Sequence, residues 1–124
     1  MGYTHYWTSR GFAGEEWSQF TSATTAIIDR AKESGIEIAG PMSEGPAQIS
    51  DLQIAFNGSR GVACEPFTLG RTAGRGFCKT QHLPYDAVVV AVLIAAEATG
   101  ALTWTSDGKD DDHAAGRRLA EGKE

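Results

Sequence analysis

Residues 3–35, YTHYWTSRGFAGEEWSQFTSATTAIIDRAKESG, contain a change of period that decides the fold. Tyr3 to Thr8 is aromatic and β-branched and reads as a strand, with Tyr3, His5 and Trp7 on one face and Thr4, Tyr6 and Thr8 on the other. From Ala13 to Ser34 the apolar residues Trp17, Phe20, Thr24, Ile27, Ile28 and Ala31 recur at i, i+3, i+4 and i+7, the stripe of an amphipathic helix. Glu15 and Glu16 suit the positive end of its dipole, Arg30 and Lys32 the other end, and Gly35 ends it.

Outward from this pair, Ile36–Ala39 reads as a short strand stopped by Gly40-Pro41, and residues 40–48 as a loop. Leu52, Ile54 and Phe56 alternate with Gln53 and Ala55 in a half-buried strand, and Asn57-Gly58 predicts a turn after it. Glu65, Phe67 and Leu69 share one face of a return strand. Gly70–Gly76 reads as a flexible basic loop before a short Phe77–Thr80 segment. Pro84 to Gly100 holds a ten-residue apolar run, Ala87–Ala96, whose surrounding length favours a buried helix. Leu102–Thr105 reads as a last strand, closed by Ser106-Asp107-Gly108. The order predicts an α+β fold, a mostly antiparallel sheet with two main helices packed on one face. Residues 1–108 form its one domain, and 109–124 a polar tail or short helix.

Composition narrows the function classes. A chain of 124 residues fits one core, and its net charge of −5 disfavours a long nucleic acid, which needs excess Lys and Arg. The apolar run is too short for a membrane span of ~20 residues, and the first residues lack the pattern of an export signal, so the expectation is a cytoplasmic protein. Two cysteines, Cys64 and Cys78, make no disulfide framework. Cys78 and His82 are close in sequence, but a buried structural cysteine is the expected role of Cys78. The acidic run Asp110–Asp112 beside His113 lacks calcium-loop spacing, and no zinc, dinucleotide or serine-elbow motif occurs, so neither a metal nor a cofactor is expected.

The charge is uneven. Between Gly58 and Tyr85 lie Arg60, Arg71, Arg75 and Lys79 against Glu65 alone, among several glycines that let backbone N–H groups approach an anion. That segment fits either an anion site or a solvated loop. Tyr3, Tyr6 and Trp7 around His5 offer aromatic faces for a base and an imidazole for phosphate or proton transfer, or else pack the core.

Gly2-Tyr3-Thr4-His5-Tyr6-Trp7, Phe56-Asn57-Gly58, Glu65-Pro66-Phe67, Phe77-Cys78-Lys79-Thr80, Pro84-Tyr85-Asp86 and Ser106-Asp107-Gly108, in that order, resemble a family of short bacteriophage and prophage proteins with no established reaction. The chain is short between Gly70 and Phe77 against that pattern, so Arg71 and Arg75 are not carried over. Phage proteins of this size resemble counter-defence factors, among them sponges for cyclic nucleotides. The residue chemistry, set beside this analogy of class, leads to the expectation of a homo-oligomer that sequesters a small nucleotide-derived immune signal in the infected host's cytoplasm, with Tyr3, His5 and Tyr6 on base or ribose and Asn57, Arg60, Lys79 and Thr80 on phosphate. No catalytic residue belongs to this reading. Two alternatives stand beside it: a metal-independent phosphodiesterase using His5, His82 and Lys79, and an inhibitor that holds a host defence protein through a surface patch, its acidic tail mimicking nucleic acid.

Overall fold

A computed structural model describes residues 3–122; Met1, Gly2 of the first landmark, and Lys123 and Glu124 at the end of the polar tail lie outside them. The elements are β1 (Thr4–Ser9), α1 (Gly14–Glu33), β2 (Ile38–Ala39), β3 (Gln48–Ile49), β4 (Gln53–Gly58), β5 (Phe67–Gly70), β6 (Gly74–Lys79), α2 (Asp86–Ala98), β7 (Leu102–Ser106) and α3 (Ala114–Glu121). A 3-10 turn over Asp110–His113 leads into α3. All strand pairs are antiparallel, giving the α+β fold that the periods predict.

The strands form two sheets rather than one. In the first, β1 lies between β6 and β7. In the second, β4 pairs with β2, β3 and β5, with β3 and β5 both against its Ile54–Ala55 stretch and β2 against Asn57–Gly58. The core sits between them and the helices: Trp7 of β1 meets Phe67 of β5 with ring centroids 5.0 Å apart, and Phe67 meets Phe56 of β4 at 5.2 Å. Trp17 and Phe20 of α1 enclose Phe12. From Val88 to Leu93, every residue of α2 is fully buried, as an apolar surface on all sides requires. No helix among the described residues is long and apolar enough to cross a membrane.

Two local expectations are corrected. Asn57-Gly58 does not turn: it continues β4 and pairs with Ala39 and Ile38. The Asn57 side chain is buried and bonded on both sides, its Oδ1 accepting the Gly58 N–H at 2.7 Å and its Nδ2 donating to the Cys64 carbonyl at 3.0 Å, and the chain reverses at Ser59–Val62 instead. Gly70–Gly76 is not a long flexible loop, because β6 begins at Gly74. Gly76 serves packing. A Cβ there would stand 2.6 Å from the Trp7 indole, so only glycine lets that ring lie across β6.

The segment after Gly108 folds back onto the helices. Leu119 is buried, its carbonyl accepts Arg30 Nε–H at 2.9 Å, and Gly116 lies against Val90 of α2.

Candidate functional site

The period of two in β1 gives its faces different chemistry. Toward the core, His5 is fully buried among polar groups. Its Nε2 lies 2.6 Å from Asp86 Oδ1, at the first residue of α2, and its Nδ1 lies 2.9 Å from Ser106 Oγ, at the end of β7. Thr80 donates its hydroxyl to the same Asp86 oxygen at 2.6 Å. A carboxylate shielded from water needs such donors, and the amino end of α2 adds a favourable dipole. With Nε2–H donating to Asp86, Nδ1 is left to accept the Ser106 O–H. Ser106 Oγ also accepts the Gly108 N–H at 2.9 Å and faces His113 Nε2 at 3.2 Å.

Tyr3 closes this cluster. Its ring meets His5 edge-on and stacks on His82 at 3.5 Å between centroids. Its hydroxyl is buried against Gly108 and meets the Ser106 side chain without a hydrogen bond of good geometry. Burial first, then the Asp86 charge, push its pKa up to about 12, so it remains a donor. Burial, followed by the neighbouring His5, pushes the His113 pKa down. Asp86, Asp107 and Asp112 together make this an acidic neighbourhood.

The outer face is its opposite. Register sets Tyr6 beside Phe77 of β6 and Thr105 of β7, and Thr8 beside Arg75 and Thr103. These residues, with Trp104, line an open groove of about 480 Å³, within the range of small-molecule sites. Tyr6 is 44% and Phe77 64% exposed, two neighbouring aromatic rings that a folded chain ordinarily covers. Lys79 pairs with Thr4 and so belongs to this face, leaving two cations of β6, Arg75 and Lys79, on either side of Phe77. Neither forms an ion pair among the described residues.

The seven candidate contacts therefore fall into three places. Tyr3, His5 and Thr80 join the inner cluster, where their polar atoms face carboxylates. Tyr6 and Lys79 share the outer face. Asn57 is buried at the end of β4, and Arg60 is exposed and paired with Glu44. His5 and His82 both touch Tyr3, but His5 is buried and His82 exposed, and the two do not form an acid–base pair around one open space. Among the described residues no cluster of three or more His, Cys, Asp or Glu is placed to hold a metal ion.

Phe77 and Arg75 line this groove, and neither is among the seven residues expected from the sequence. Treating Gly70–Gly76 as a loop hid the alternation Arg75, Phe77, Lys79, which is itself a period of two. Comparison with known protein families, curated proteins and solved structures returned no match.

Proposed function

We propose that the chain binds a small, planar, nucleotide-like anion on the outer face of the three-stranded sheet. The exposed Tyr6–Phe77 pair, flanked by Arg75 and Lys79, carries the reading. Aromatic side chains stack on bases of any identity, and a guanidinium supplies bidentate bonds to phosphate. Thr8, Thr103 and Thr105 line the floor with hydroxyls for ribose or base edges. The inner cluster, crowded with carboxylates, is the wrong place for an anion.

The net charge of −5 confines the attraction to this patch and favours a short ligand over a polymer. An open groove leaves one side of a bound base in water, and a second copy of the chain closing over it is the homo-oligomer this reading calls for. Set beside the resemblance to phage proteins, the biological role is sequestration of a nucleotide-derived immune signal in the cytoplasm of an infected bacterium.

Calorimetric titration with cyclic dinucleotides, cyclic trinucleotides and cyclic ADP-ribose isomers tests this directly. One of them is expected to bind at micromolar affinity or better and to be recovered unchanged. Silence across the panel, or binding that survives the paired change Tyr6→Ala and Phe77→Ala, would overturn the assignment. Product in the recovered ligand would make the protein an enzyme.

A further inference from the structure

We propose that Ser106 is an activated nucleophile, assembled independently of the outer groove and directed at an uncharged ester. Three elements distant in sequence supply the parts: β7 the hydroxyl, β1 the imidazole and α2 the carboxylate. Ser106 Oγ to His5 Nδ1 is 2.9 Å and His5 Nε2 to Asp86 Oδ1 is 2.6 Å, both within the reach that general-base activation requires. The roles are those of a serine, histidine and aspartate relay, recognised by geometry rather than chain order. Here the two ring nitrogens exchange places relative to serine proteases, with the carboxylate on Nε2 and the serine on Nδ1.

A relay alone is compatible with a purely architectural network. The second observation is the Tyr3 hydroxyl, which is buried against the Gly108 turn and meets the Ser106 side chain without a hydrogen bond of good geometry. A buried hydroxyl held only by such a contact costs free energy unless another state supplies a better acceptor. An oxyanion formed beside Ser106 is such an acceptor, and a phenol whose pKa is raised donates to it without losing its own proton.

The step balances. Ser106 Oγ attacks the carbonyl carbon of the ester, the new O–C bond forms, and the hydroxyl proton passes to His5 Nδ1. Asp86 steadies the resulting imidazolium, which returns the proton to the departing alkoxide. Water then releases the acid by the same path in reverse. Asp86, Asp107 and Asp112 repel anionic substrates, which separates this chemistry from nucleotides. His113 Nε2, 3.2 Å from Ser106 Oγ, occupies a place that an approaching substrate has to clear.

The test is covalent labelling with an uncharged alkyl fluorophosphonate at pH 8, read by intact mass and peptide mapping. Attack forms the Oγ–P bond and expels fluoride, so the adduct records nucleophilicity directly. An adduct on Ser106 is expected, at least tenfold slower in Tyr3→Phe and in Asp86→Asn, and faster in His113→Ala. Tyr3→Phe removes one oxygen and keeps the ring that packs on His5 and His82, and its urea midpoint, measured beside the labelling rate, is expected to match that of a folded protein. Failure to label Ser106 while a trypsin control reacts to completion would overturn the proposal. So would equal rates in wild type and Tyr3→Phe. Neither result bears on the outer groove, whose ligand is tested by titration.

Discussion

His5 Nε2 and Asp86 Oδ1 stand 2.6 Å apart across 81 positions of sequence, and this contact ties the first strand to the start of α2. Removing one member of a buried ionic or strongly polar pair leaves the other without compensation. Asp86→Ala is expected to lower the unfolding free energy by about 3–5 kcal/mol. Thr80→Val, which removes one of two donors to the same oxygen, should cost about 1–3 kcal/mol. Urea denaturation measures both, and an Asp86→Ala loss below that of Thr80→Val would mean that His5 does not depend on the carboxylate.

The outer face predicts the opposite pattern. Tyr6→Ala and Phe77→Ala each remove an exposed ring, so stability should move by only about 0.5 kcal/mol. Binding of the ligand found by titration should weaken by about 1–3 kcal/mol per ring. Arg75→Ala and Lys79→Ala should flatten the salt dependence of affinity instead. A ligand whose affinity ignores salt would remove the cations from the site.

Packing of α3 has a sharp probe in Gly116. A Cβ there would stand 2.4 Å from Val90 Cγ1, closer than two carbon atoms approach in a folded chain. Gly116→Ala is expected to cost about 1–3 kcal/mol and to lower the melting temperature. An unchanged melting curve would show that α3 contributes nothing to the fold.

Acid should loosen the same region. Burial, and next the neighbouring His5, hold the folded pKa of His113 below its ordinary value of 6.5; Arg117 acts in the same direction, while Asp86 and Asp112 oppose it. As pH falls past 6.5 the unfolded chain therefore takes up this proton first, and stability declines until the folded form also titrates. Above that window both states are uncharged and the contribution is constant. The unfolding free energy, followed from pH 8 to pH 5, should fall less steeply in His113→Gln than in wild type. Parallel curves would remove His113 from the acid response.

Thiol reactivity should divide between the two cysteines. Cys78 is fully buried, and burial with the nearby Glu65 charge pushes its pKa up to about 12. Cys64 is only partly covered. Native protein treated with iodoacetamide at pH 8 should take one label, on Cys64, and the second only after denaturation. Equal labelling would show that β6 opens readily.

Much of the framework was legible because period and burial coincide. The change from two to 3.6 between β1 and α1 is explicit in Trp7, Trp17, Phe20 and Ile27, which all reach the core. The same alternation separates His5 from Tyr6, but a strand read alone does not say which neighbours each will meet. Ser106 and Asp86 meet His5 only through the pairing of β1 with β7 and the placement of α2, both long-range. Asn57-Gly58 misled for a related reason. A turn is a local preference, and β2 supplied a partner strand that outweighed it. Phe77 and Arg75 were visible as residues, but glycines at 70, 74 and 76 disguised their strand, although Gly76 is there to admit Trp7.

The central position of β1 also bears on how the chain reaches its native state. Thr4 pairs with Lys79 and His5 with Ser106, so the first strand emerges from the ribosome long before either neighbour exists. Its aromatic residues must then wait unpaired while the hairpins of the second sheet, with their shorter closures, form. Final assembly is the insertion of an early strand into a slot that β6, α2 and β7 create late, an order that slows folding and exposes Trp7 to aggregation or chaperone capture in the interval.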